Sequence, residues 1–271
     1  MLNTNTVNMR HDASVLSARA ERLRIRSGYS GNTSGMAPGF GQGNLVILPR
    51  DWAEDFKQFC QANPTPCPLI GMTEEGSSLV PALGDDVDLR TDLPRYRVWK
   101  DGKLACEVTD ISDLWRQDFV GFVIGCSLSF EFALQNAGLA VRHVDEQKVV
   151  PMYRTSIATR PVGRFSGPMI VSMRPYTHEQ IQIAYDVCSR LPGAHGAPVH
   201  VGDPLQIGIR DVDSPDEGER TEIKDGEVPV FWGCGVTPQA AVMAARPPIC
   251  ITHSPGYMLL SEVRTEDLQL I

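Results

Sequence analysis

Two histidines, His195 and His200, flank Gly-Ala-Pro in the stretch HGAPVHVGDP, residues 195–204, and Asp203 follows in a Gly-Asp-Pro turn. Imidazole titrates near neutrality, so either histidine can act as acid or base, and a carboxylate beside it can orient it or supply a proton. The prolines and glycines make the segment a shaped loop rather than a helix face. Val199 and Val201 alternate around His200, so a short strand runs through it and ends at Gly202. Strand ends followed by such turns are where α/β proteins often place binding groups. Each of the three also has an ordinary structural use, Asp203 above all as a turn former. It is the cluster that points to chemistry.

Two further stretches share the form of apolar strand, glycine-rich break and polar group at a helix start: GCSLSFE at 125–131 and GCGVTPQ at 233–239. A helix N-terminus presents unpaired N–H groups and the positive end of the dipole, which suits a carboxylate. Ser127, Ser129 and Thr237 either cap such an end or release it to a ligand. Cys126 and Cys234 sit in the breaks, where a thiol can become nucleophilic; a tight strand-to-helix turn also simply needs small residues. Arg142, Arg154, Arg160, Arg164 and Arg174 crowd the middle of the chain. Arg164 lies with Ser166 in GRFSGP, and Arg174 ends a strand in SMRP. Arginine grips a carboxylate with two parallel bonds, or pairs with the chain's own acids. His253, after the apolar run 249–252, joins His143, His195 and His200 as a fourth candidate histidine. Neither HExxH nor HxH occurs, so no metal and no other cofactor is expected.

The elements that must hold these groups can be read from periodicity. A helix is predicted over residues 12–27, after a polar and disordered segment 1–11. Residues 33–44, with Gly39, Gly41 and Gly43, form a glycine-rich connection. It lacks the strand-before, helix-after context of a dinucleotide fingerprint. A strand at 45–48, a helix from Asp51 with capping-box spacing to Glu54, and a strand at 69–72 make a β-α-β unit, for which parallel pairing is predicted. Residues 97–108 form a hairpin turning at Asp101-Gly102. Strands are predicted at 141–144, 169–173, 228–232 and 249–252, and a strand or a helix at 119–124. Helices follow at 130–137, from the Thr177–Gln180 capping box, and at 238–246 behind Thr237-Pro238. Strand, helix, strand over 228–252 makes a second β-α-β unit.

With 271 residues, 42% hydrophobic and 21% charged, the chain has the composition of one large or two modest globular domains. A net charge of −8 and a pI near 5.3 argue against a nucleic-acid surface. No apolar run spans a membrane, and the N-terminus lacks the apolar core of a secretory signal. Seven cysteines without a CxxC pair read as reduced thiols of a cytoplasmic protein.

The stretches NLVILP, RTDLPRYRVW, GCSLSFE, VPMYRT, GRFSGPMIVSMRP, HGAPVHVGDP, EVPVFWGCGVTPQ and THSPG resemble, in order and spacing, the hydro-lyase family also called the D-glutamate cyclase family. The resemblance covers about residues 25–258. It implies an α/β chain, α+β overall: a three-layer α/β domain with a smaller two-layer one, which we place at 1–148 plus 216–271 and at 149–215. It also implies a lyase that converts D-glutamate to 5-oxo-D-proline with loss of water. The family supplies no catalytic residue set, so the roles rest on chemistry. Arg164 or Arg174 would clamp the α-carboxylate, His200 or His195 would act as base, and Asp203 would orient it or act as acid. N–H groups near Ser127 or Thr237 would hold the oxyanion. A small carboxylate is the expected partner, with neither nucleic acid nor membrane, and a homo-oligomer is compatible with the sequence. Two other readings remain open: a non-catalytic carboxylate-binding protein that assists 5-oxoproline metabolism, and a metal-dependent hydrolase.

Overall fold

The computed structural model describes residues 18–271. The expectations for residues 1–11, and the first part of the predicted helix 12–27, lie outside the described residues. Helix α1 covers residues 18–26. Eleven strands follow: β1 (Phe40–Pro49), β2 (Leu69–Met72), β3 (Tyr96–Lys100), β4 (Lys103–Val108), β5 (Phe119–Gly125), β6 (Met152–Ala158), β7 (Pro168–Thr177), β8 (His200–Val201), β9 (Glu227–Gly233), β10 (Cys250–His253) and β11 (Leu259–Arg264). The helices between them are α2 (Arg50–Ala62), α3 (Leu128–Asn136), α4 (Arg142–Asp145), α5 (His178–Cys188) and α6 (Val236–Ala245).

The strands form two sheets, so the mixed α/β class holds. The larger runs β2-β5-β1-β10-β3-β4, with β11 also on β1; the smaller runs β6-β7-β9-β8. β1 explains why the larger sheet is central. Its side chains alternate, Leu45 and Ile47 into one apolar cluster and Val46 and Leu48 into another. β5 does the same, with Val123 on one side and Phe122 and Ile124 on the other. Both faces are therefore buried, and each such side chain contributes about 1.5–3 kcal/mol on leaving water. Phe56, Phe59 and Cys60 of α2, with Ala241 and Val242 of α6, cover one face. On the smaller sheet, Val230 and Trp232 pack against Phe130 and Leu134 of α3 and Ala184 and Cys188 of α5.

Among the described residues every strand pair is antiparallel, which corrects the parallel β-α-β prediction. β1 and β2 do flank a helix, but β5 lies between them and pairs with both. The second unit is corrected too: β9 and β10 belong to different sheets, so α6 bridges the two. Periodicity marks the elements but not their neighbours; a strand that arrives later in the chain decides the pairing. The smaller sheet also takes β9, which the sequence reading grouped with the larger unit. Residues 141–144, read as a strand, form the single turn α4, because Arg142 turns outward to a two-pronged pair with Glu227 while His143 turns inward. Asp51 does not cap α2, which begins one residue earlier behind Pro49. The Asp101-Gly102 turn forms as predicted, both residues having positive φ (49° and 76°). So does the helix behind Thr177, whose N–H is accepted by the Gln180 side chain at 3.1 Å.

Candidate active site

Two strand-to-helix junctions build the site. β5 passes through Gly125, Cys126 and Ser127 into α3, and β9 through Gly233, Cys234 and Gly235 into α6. Glycine is demanded by contact: a Cβ on Gly125 would stand 1.7 Å from the Gly193 carbonyl oxygen, and one on Gly235 would stand 2.0 Å from Asn44 Nδ2. Neither helix start carries a side-chain cap. Both open onto one cavity of about 500 Å³, which Asn44, His143, Lys148 and His253 also line. The lining includes no aspartate or glutamate. At these starts the Ser129 and Thr237 N–H groups already donate to the Cys126 and Cys234 carbonyls, at 3.1 and 2.9 Å, and Pro238 has no N–H. Lys148 Nζ pairs with Glu146 at 2.7 Å. What the cavity offers an anion is therefore the positive end of each helix dipole. Cys126 and Cys234 face the same space, but burial pushes their thiols up to about 12 and about 11, so both are protonated at neutral pH.

A long bulge shapes the cavity mouth. Val46 pairs with Thr252 and Gly43 with Leu259, so a short step along β1 is matched by a much longer one along its partner. Of the surplus, Ser254 to Met258, the residues Pro255 to Met258 line the cavity. It leaves the Leu45 N–H without a backbone partner, and His253 Nδ1 accepts it at 3.1 Å. The Gln239 amide stands 2.8 Å from the same nitrogen. Nδ1 therefore acts as an acceptor, and this network assigns the ring proton to Nε2. Burial drives the His253 pKa down to about 4, which the Leu45 bond only partly offsets. His253 is a neutral hydrogen-bond donor at the cavity wall.

A buried charge chain lies behind α3. Arg174 of β7, 1% exposed, donates to Ser172 Oγ at 3.1 Å and Ser127 Oγ at 3.2 Å, and pairs with Glu131 Oε1. Its guanidinium stacks on Phe130 at 4.7 Å. Burial raises the Glu131 carboxyl, yet Arg174 and His143 together hold it below the usual carboxylate range. His143 Nε2 stands 3.0 Å from the same carboxylate oxygen, an ion-pair approach without hydrogen-bond alignment. Its Nδ1 has no partner among the described residues.

The residues singled out from the sequence divide into three groups. Cys126, Ser127, His143, Cys234 and His253 line the cavity, and Arg174 supports it from beneath through Ser127. Ser129 and Thr237 are close in sequence but serve as ties: Ser129 Oγ accepts the Gln42 N–H at 2.8 Å, and Thr237 Oγ1 accepts that of Ile170 at 2.9 Å. Thr237 lies within α6 and is not its N-cap. The rest lie outside the cavity lining. His195 is buried, its Nδ1 bonded to the Thr65 carbonyl at 2.8 Å, with burial lowering its pKa to about 4. His200 Nε2 bonds the Asp203 carbonyl at 2.8 Å, and the Asp203 carboxylate takes the Leu205 N–H at 3.0 Å. The motif is thus a structured turn at the edge of the smaller sheet, and its Gly193 neighbour buttresses the β5–α3 junction. Arg154 and Ser166 are exposed, as is Arg164, which donates to the Asp51 carbonyl at 3.1 Å and stacks on Trp52.

Residues 120–262 match the family model described as D-glutamate cyclase. A Bordetella petrii protein named "Putative hydro-lyase Bpet2233" is 55% identical over 94% of this chain and 97% of its own length. The chain belongs to the D-glutamate cyclase family. A Bacillus licheniformis relative, with a hydro-lyase name of the same form, is likewise 55% identical over 92% of this chain and 96% of its own. A nitrogen repressor-like protein of Methanococcus jannaschii overlays with a TM-score of 0.37 at 9% identity, over 94% of this chain and 98% of that one. Among the described residues, no helix is long and apolar enough to cross a membrane and no group of three or more metal-ligating side chains occurs. In this D-glutamate cyclase family chain, sequence reasoning missed Asn44, Lys148 and Gln239. The signal for Asn44 was a polar residue inside an otherwise apolar strand, read instead as the end of a loop. Lys148 and Gln239 have no local signal.

Proposed function

We propose that the cavity is an active site that cyclises D-glutamate to 5-oxo-D-proline with loss of water. The observation that carries the reading is the convergence of His143 and His253 with the starts of α3 and α6 on one cavity whose lining lacks carboxylates. In the substrate, the α-nitrogen attacks the γ-carboxyl carbon and one carboxyl oxygen leaves as water. From the ammonium and carboxylate forms, two protons pass from nitrogen to the departing oxygen, with no net uptake.

His143 fits the base. Ionised Glu131 favours a proton on Nε2, which leaves Nδ1 to take a proton from the ammonium and return it to the leaving oxygen. His253, neutral and protonated on Nε2, fits the donor to the developing oxyanion, since it stabilises that charge without giving up its own proton. The helix starts hold the carboxylates, and folding the substrate into a near-attack shape supplies much of the acceleration. The test is proton NMR of the purified protein with D-glutamate and, separately, L-glutamate. Enzyme-dependent 5-oxoproline from the D form supports the reading. Saturable binding with no product from either replaces it with the carboxylate-binding alternative.

A further inference from the structure

The Asn44 side chain is fixed at one end and open at the other. Its Nδ2 donates to the Ile124 and Gly125 carbonyls, at 3.2 and 3.0 Å. Turning the amide round would set its oxygen against both carbonyls, so Oδ1 is left as the acceptor. Nothing among the described residues donates to it, although Asn44 is only 3% exposed. The amide also fills the space beside Gly235, where a Cβ would stand 2.0 Å from Nδ2 and 2.8 Å from Oδ1. Asn44 is thus held between the two strand-to-helix junctions, and it lines the cavity. His143, 2% exposed, brings a second acceptor to the same cavity. With its proton on Nε2, toward ionised Glu131, its unpartnered Nδ1 is bare. Buried acceptors left unpaired cost free energy, so a ligand that fits must bring them N–H or O–H bonds. A carboxylate brings none and a hydroxyl brings one; an amino group brings at least two.

We infer that the site selects ligands bearing a primary amino group, whose N–H bonds are accepted by Asn44 Oδ1 and His143 Nδ1. The inference rests on the reading of His143 as facing the ligand's nitrogen, and it adds Asn44 as the residue that holds that nitrogen in place. The cavity lining contributes no carboxylate, so the selection is for hydrogen-bond donors rather than for positive charge. Amino acids belong to this class, and the same acids without their amino group do not.

The test is calorimetric titration of the purified full chain with D-norvaline, its hydroxy acid counterpart, its N,N,N-trimethyl derivative and pentanoate. All four share one carboxylate and one carbon chain, and none has the second carboxyl group that ring closure needs. D-norvaline is expected to bind at least about tenfold tighter than pentanoate, the effect of two hydrogen bonds, with the hydroxy acid between them. The trimethyl derivative keeps the charge but has no N–H, and should bind no better than pentanoate. N44A, its fold checked by circular dichroism, should bring D-norvaline to within about threefold of pentanoate and leave pentanoate unchanged. Equal affinity for D-norvaline and pentanoate overturns the inference, as does tight binding of the trimethyl derivative or no binding of any of the four. Full amine selectivity in folded N44A overturns the role of Asn44, and the wild-type series decides if that variant does not fold. Assaying D-glutamate turnover in parallel separates the two claims. Turnover without amine selectivity removes this inference and keeps the cyclase reading, and selectivity without turnover does the reverse.

Discussion

Glu131 Oε1 is shared between two buried side chains, Arg174 through Nη2 and, at 3.0 Å, His143 through Nε2, and none of the three residues' side chains is more than 8% exposed. A charge in such a place is tolerated only through its partners. Glu131→Gln leaves the Arg174 guanidinium buried without its counter-charge, and should destabilise the fold by about 3–5 kcal/mol in urea denaturation. A loss under about 1 kcal/mol would mean that the pair contributes little.

The two buried histidines set a pH dependence. His195 and His253 each have a folded pKa of about 4, below the ordinary value of about 6.5. The unfolded chain therefore binds more protons between these values, so stability is full above about pH 6.5 and falls as pH drops toward 4. The slope is about 1.4 kcal/mol per pH unit for each histidine. Denaturation at a series of pH values should show it, and H195Q should remove part of it. A stability flat from pH 7 to 4.5 would contradict the assignment.

Activity should divide between histidines. His143→Gln is expected to lower kcat by about 10²-fold or more with KM little changed, the usual effect of losing a general base. His200→Gln should leave both within about twofold, since its ring is tied to the Asp203 carbonyl outside the cavity lining. Steady-state kinetics on D-glutamate read both, and the reverse pattern would move the base to the 195–204 turn.

Thiol reactivity should follow exposure. Cys106 is exposed and the other six cysteines are buried. Iodoacetamide at neutral pH should label Cys106 first, with Cys126 and Cys234 modified only on denaturation, since burial keeps their thiols protonated. Fast labelling of Cys126 in the native protein, located by peptide mass mapping, would restore it as a nucleophile.

Gly125→Ala tests the junction itself. Its Cβ would overlap the Gly193 carbonyl, a backbone atom that cannot rotate away. Destabilisation of several kcal/mol, or failure to fold, is expected. Gly138→Ala, with no atom within 4 Å of the added carbon, isolates the separate strain of its positive φ (83°) and should cost only about 1 kcal/mol.

Much of the local structure was legible in the chain. The hairpin at Asp101-Gly102, the Thr177 helix start and the apolar runs of β1 and β5 follow from turn chemistry, capping and period, which act over a few residues. The two GC junctions were legible as candidate anion sites for the same reason. The 195–204 cluster was legible as dense chemistry; in the structure it lies outside the cavity lining, with His200 and Asp203 bonded within their own turn and His195 to the Thr65 carbonyl.

The sequence by itself determined most of the elements, though not α4, β6 or β11, together with the family and the two strand-to-helix breaks, because each depends on residues close together in the chain. Only the tertiary structure decided which groups share a cavity. The antiparallel order that sets β5 beside β1, the bulge that brings His253 to the Leu45 N–H, and the Arg174–Glu131–His143 chain all join segments far apart in sequence. Such pairings are selected by burial and by charge compensation across the folded chain, and these are properties of the whole packing rather than of any one stretch.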